Sequence, residues 1–239
     1  MWALCKKELR QFFSNLTGYI AILLFLLLNG LFLFVFPESN LFDYGYATLD
    51  KFFELAPWVL LMLIPAITMR SFSEEFKSGT YEILQTLPLS RFQVIGGKYL
   101  AALIVVVIAI LPTFIYVFTI SSISTGGIDS GGIMGSYIGL FFLAAVFTAI
   151  GVCCSSLTAN PVVSFLLSAF TCFVIYSAFA AVSTMPVLQS GTGYFIELIG
   201  IDSHYKSISR GVIDSRDIIY FLSVIFLFLF LTAKNLLKR

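Results

Sequence analysis

The chain has 239 residues, of which 59% are hydrophobic and 11% charged, with a net charge of +1 and a mean hydropathy of +0.98. A soluble domain carries about 25% charged residues, so this composition excludes a soluble enzyme, a disordered chain and a collagen-like chain and leaves an integral membrane protein. The near-neutral total points to no nucleic acid partner. The four cysteines, Cys5, Cys153, Cys154 and Cys172, have neither metal-ligand nor redox spacing and read as small apolar packing residues.

The first element is amphipathic. Trp2, Cys5, Leu9, Phe12, Phe13 and Leu16 recur at steps of three and four, while Lys6, Lys7, Glu8 and Arg10 fill much of the other face. This spacing predicts a helix over residues 1–15 lying in the inner membrane interface, the alternative being a basic flank that only sets topology. The apolar run that follows is about 20 residues, longer than the core of a signal peptide. It ends in Phe36-Pro37-Glu38 without a small-residue cleavage site, so it is expected to stay as a first span at about 16–36.

A helix needs about 20 apolar residues to cross the hydrocarbon layer. The next charge-free stretch, Leu55–Met69, is short, and a crossing length requires about 52–72. Within it Pro57 reads as a first-turn proline and Pro65 as a kink. A third span is expected at about 96–121. The stretch from Ser130 to Ile196 is 67 residues without a charge and breaks at the polar cluster Ser155–Pro161, whose Asn160-Pro161 is a strong turn signal. It yields spans at about 136–157 and 161–183. A sixth is expected at about 216–233.

Between the second and third spans, residues 73–92 form a polar segment. Gly79 suits a helix end with positive φ, Thr80 a cap for a short helix through Tyr81-Glu82-Ile83-Leu84, and Pro88 its end. Its apolar members Ile83, Leu84 and Leu87 are expected to bury, against the interface or a cytoplasmic partner. The loop at 184–215 carries two apolar stretches, Pro186–Leu188 and Tyr194–Ile199, that suit re-entry into the outer leaflet as a lid over a central seam. His204, the single histidine, reads as a hydrogen-bonding residue of that loop.

Charge orients the chain. With both termini cytoplasmic, only Lys51, Lys206, Arg210 and Arg216 of the fourteen basic residues fall outside, and only Glu8, Glu74, Glu75 and Glu82 of the thirteen acidic residues fall inside. Positive residues are retained in the cytoplasm, so this orientation fits and its reverse does not. No nucleotide motif is present. The nearest pattern, Gly96-Gly97-Lys98-Tyr99, has Phe92 where a phosphate loop needs its first glycine and lacks the hydroxyl residue after the lysine. The middles of the spans hold no ionisable group of the kind an ion-coupled carrier uses. The pairs Gly135/Gly139, Ala145/Ala149 and Gly151/Ser155 suit close helix packing.

These residues resemble a known family. Met69–Glu75, Gly79–Leu84, Leu87-Pro88-Leu89-Ser90, Gly97-Lys98-Tyr99 and the outer stretch His204–Asp217 are similar to ABC-2-type transporter permeases, with Leu28–Phe32 and Leu55–Trp58 extending the similarity. Within the family the resemblance is greatest to permeases associated with gliding motility. It implies an all-α integral membrane fold: one permease domain over 1–239 with six transmembrane helices, an N-terminal interfacial helix, a cytoplasmic coupling helix and a re-entrant outer loop. It implies a bacterial cytoplasmic membrane protein, not itself an enzyme. Its partners would be a separate ABC ATPase that carries the ATP and Mg and a second six-span permease subunit, identical or related. Carried onto this chain, Glu74, Glu75, Gly79, Thr80, Glu82, Pro88 and Arg91 would make or permit the ATPase contact, and His204, Arg210, Gly211, Asp214 and Asp217 would form the outer motif. The expected function is ATP-driven export. The alternative is a non-transporting membrane anchor for a cytoplasmic ATPase or motility machine.

Overall fold

A polar break separates the first two helices. α1 (Trp2–Ser14) and α2 (Leu16–Phe34) meet at Asn15, whose extended backbone turns the chain by 73°. The Ser14 hydroxyl and the Asn15 amide both donate to the carbonyl of Gln11 and close the end of α1. The computed structural model describes residues 1–36, 48–86, 88–124, 127–184, 193, 197–212 and 214–237. The apolar stretch Pro186–Leu188, the first half of Tyr194–Ile199, and Leu87 lie outside the described residues.

The remaining elements follow in chain order: α3 (Asp50–Thr68), α4 (Ser73–Ser78), α5 (Tyr81–Thr86), α6 (Arg91–Ile110), α7 (Phe114–Ile123), α8 (Ser130–Ser155), α9 (Pro161–Phe173), α10 (Phe179–Ser183), α11 (Ile201–Ser209) and α12 (Ser215–Leu237). Five helical units are long and apolar enough to cross a membrane: Asp50–Ser78, Arg91–Ile123, Ser130–Ser155, Pro161–Ser183 and Ser215–Leu237. Counting the bent α1–α2 pair as one broken span makes six, and either count gives an all-α membrane fold. The 67-residue apolar run breaks where the polar cluster stands. Asn160 caps α9 by accepting from the amide of Val162 at 3.0 Å, with Pro161 as the first helical residue.

Prolines shape two of the spans. α3 begins at Asp50, so Pro57 lies in the helix interior, not in the first turn as its sequence context suggests. A proline there has no N–H for the carbonyl four residues earlier, that of Phe53. The hydroxyl of Tyr205, 152 residues away, donates to that carbonyl at 2.8 Å and repairs the gap. Pro112 breaks the third span into α6 and α7 through a single 3₁₀ turn, Leu111–Thr113. The Thr113 hydroxyl, fully buried, bonds Ile110 and meets the Tyr137 hydroxyl at 3.1 Å.

α8 is the axis of the bundle. It packs against α3, α6, α9, α11 and α12 and is buried along nearly its whole length. α9 and α12 present Leu166, Phe170, Phe226 and Phe230 outward, as helices facing lipid do. Small residues let neighbours approach the axis. A Cβ on Gly151 would stand 2.1 Å from the Thr68 hydroxyl of α3, and one on Gly135 would stand 2.7 Å from the carbonyl of Ile208 at the end of α11. Leu4 of α1 and Ala233 and Leu236 of α12 share one apolar cluster, so both termini lie at the same pole of the bundle.

Candidate functional site

The segment between α3 and α6 lies at the pole of the two termini. Its residues Phe72, Tyr81 and Leu84 pack with Leu4, Val94, Ile95, Val152 and Leu236. Phe76 stacks on Phe72 at 6.2 Å and meets the edge of Tyr81 at 4.9 Å, so the aromatic residues root the segment in the bundle. α4 continues α3 within one helical unit, Asp50–Ser78. Gly79 then turns the chain with φ 71°, a conformation that glycine adopts without steric cost. The Ser78 hydroxyl bonds the Glu74 carbonyl and lies 2.9 Å from the Thr80 hydroxyl. α5 follows, with the Leu84 amide donating to the Thr80 carbonyl.

Of the residues assigned to partner contact, Glu74, Gly79, Thr80, Glu82, Pro88 and Arg91 are exposed. Glu75 turns inward instead. Ile83, expected to bury against the interface or a cytoplasmic partner, is 65% exposed and points away from the bundle, because Tyr81 and Leu84 already occupy the buried face of a helix only six residues long. Ser90 starts α6 with a full capping box: its hydroxyl accepts from the Gln93 amide at 3.3 Å, and the Gln93 side chain accepts from the Ser90 amide at 3.0 Å. The Ser-x-x-Gln spacing carries that signal in the sequence.

Lys98, two turns into α6, stands in a motif of the sequence that gives it no site role. Its side chain is 2% exposed, and its ammonium makes three hydrogen bonds: to Glu8 Oε1 at 3.0 Å, to Glu75 Oε1 at 2.7 Å and to the carbonyl of Ser71 at 2.6 Å. The ring of Phe72 lies 5.1 Å away. α1 reaches the cluster because residue 97 is glycine; a Cβ there would stand 3.1 Å from the Met1 carbonyl and 3.2 Å from the Leu4 side chain. Thus α1 docks on α6, and Glu8 faces the protein rather than solvent. The Gly-Gly-Lys run that fails as a phosphate loop serves as a helix-crossing site.

The outer motif residues gather at the opposite pole. His204 on α11 places Nδ1 2.6 Å from Asp217 Oδ1 at the start of α12, and Nε2 2.9 Å from the Leu198 carbonyl. Its ring stacks on Tyr220 at 3.9 Å. His204 therefore stands in a helix, not a loop, and ties α11 to α12. Gly211 ends α11 with φ 84°, and its Cα lies 2.8 Å from where a Gly135 Cβ would be. Asp214 caps α12 by accepting from the Arg216 amide at 3.0 Å. Arg210 stays exposed on the rim of a cavity of about 900 Å³, lined also by Glu54, Trp58, Tyr176, Asp202 and Lys206. Tyr176 belongs to a π-helical turn, Val174–Ala178, and meets Trp58 edge-on at 5.6 Å. Burial holds the Tyr205 hydroxyl well above its usual pKa, with Tyr176 and Asp202 acting in the same sense, so it remains a donor to Phe53.

A family model described as an ABC-2 family transporter protein matches residues 44–237, from just before α3 to the end of α12. No curated protein matches the chain.

Proposed function

The chain belongs to the ABC-2 family of transporter proteins, and on that premise we propose that it is an export permease whose segment Ser73–Arg91 receives the stroke of a separate ATPase. Family members are multi-pass membrane subunits of ABC transporters, with the ATPase on another chain. The finer reading rests on one observation: a short double helix rooted by Phe72, Phe76, Tyr81 and Leu84 that presents Glu74, Thr80, Glu82 and Ile83 outward. Acidic and hydroxyl groups around one exposed apolar side chain suit a protein surface better than lipid.

The segment is continuous with α3, a unit of 29 residues and so about 40 Å long at 1.5 Å per residue. Asp50, Phe53 and Trp58 at its far end line the opposite cavity. Movement imposed at α4 therefore reaches that cavity along one helix, with α8 as its bearing. In this reading the pole holding both termini is cytoplasmic, the membrane is the bacterial inner membrane, and ATP and Mg bind the partner ATPase. A second six-span subunit, identical or related, completes the pathway. The link to gliding motility comes from the resemblance alone; a null mutant that still glides removes it.

Affinity purification of the tagged chain in mild detergent tests the central claim. A co-purifying ABC ATPase is the expected result, and its absence overturns the reading. ATP hydrolysis that rises with substrate in reconstituted vesicles separates export from simple anchoring.

A further inference from the structure

We propose that Lys98 is the positioning residue that makes the coupling segment, α6 and α1 move as one body; this deepens the coupling reading above and rests on it. An ammonium has three donors and no acceptor. At Lys98 all three are used, and each goes to a different part of the chain: Glu8 on α1, the Ser71 carbonyl in the turn after α3, and Glu75 on α4. Lys98 itself belongs to α6. Displacement of α4 by a partner thus pulls directly on two further helices.

The charge is needed, not incidental. Two carboxylates face one ammonium, and Glu75 Oε2 is buried with no donor among the described residues. Buried ion pairs contribute little net stability over an apolar replacement, yet removing one partner is strongly destabilising because the other charge is left unpaired. A packing role alone would be served as well by a methionine between two glutamines. The retained charges supply what such a trio lacks: three short directional bonds that fix α1, α4 and α6 relative to one another.

The test compares the triple variant K98M/E8Q/E75Q with the unaltered chain, each purified with the ATPase that accompanies it. Removing all three charges together leaves no buried charge unpaired, so the variant should fold and retain the ATPase. Stimulation of ATP hydrolysis should nevertheless fall about fivefold or more, the low end of coupling between distant sites. Spin labels at Lys7→Cys on α1 and Lys77→Cys on α4, both exposed positions, should give a broader distance distribution in the variant. The native cysteines are all buried and leave these positions distinct. Unchanged stimulation with an unchanged distance distribution overturns the proposal. Should the triple variant not fold, Glu75→Gln, which leaves Lys98 bonded to Glu8 and Ser71, must lower stimulation or the proposal fails. The spin-label measurement needs no ATPase, so a joint that loosens in a permease without an ATPase partner sinks the coupling reading while leaving the mechanical one standing.

Discussion

Tyr205 illustrates how single residues couple distant parts of this bundle. Pro57 withholds a backbone donor inside α3, and the Tyr205 hydroxyl supplies one to the stranded Phe53 carbonyl. Removing the hydroxyl leaves a buried acceptor unsatisfied, which costs about 1–3 kcal/mol. Tyr205→Phe should therefore lower thermal stability in detergent, and Pro57→Ala on that background should restore part of it by returning the missing N–H. No recovery in the double variant would show that the two residues are not linked. Neither half of this bond is visible alone in the sequence. A proline in an apolar stretch announces a missing donor, but not which side chain replaces it. The same holds for Lys98, Glu8 and Glu75. In the sequence Glu8 reads as part of the polar face of α1, Glu75 as a partner contact and Lys98 as part of a family motif, and only folding buries them together.

At the scale of elements, local rules carried further. The Asn160-Pro161 break and the end of α4 at Gly79 both follow from cap and turn chemistry that acts over three or four residues. Gly79 gives the sharpest prediction here. Its left-handed backbone costs a residue with a Cβ about 1–2 kcal/mol, asparagine being better tolerated than other types. With nothing within 4 Å of a Cβ there, conformation and not space sets the penalty. In the reconstituted complex, ATPase stimulation should fall in the order Gly79, Asn, Ala, Val. A Gly79→Val protein that stimulates its ATPase normally removes the turn from the coupling path. Two features at this scale come from packing. Ile83 is exposed because Tyr81 and Leu84 fill the buried face of α5. α1, predicted from its amphipathicity to be interfacial, also packs on α6 because Gly97 admits it.

For the whole molecule, apolar length accounts for five to six membrane-crossing helices, and the placement of sparse charge predicts their direction. Both termini share one pole with the coupling segment, and α11 with its cavity occupies the other. In sealed cells, a membrane-impermeant maleimide should label Lys206→Cys without permeabilisation and Glu82→Cys only after it. Both positions are exposed, and the four native cysteines are buried, which keeps the background low. Labelling in the reverse order would invert the topology and detach the coupling segment from any cytoplasmic ATPase.

The sequence by itself determined that the chain is an all-helical membrane protein, where its long apolar run breaks, and which family it resembles. Those properties follow from hydropathy over about 20 residues and from turn chemistry over a few. The tertiary structure decided which helix is the axis, which glutamates face inward, and how one lysine joins three helices. Such contacts unite residues as far apart as Glu8 and Lys98, or Phe53 and Tyr205. No local pattern encodes them, because the donor, the acceptor and the burial that makes their pairing matter come from different segments.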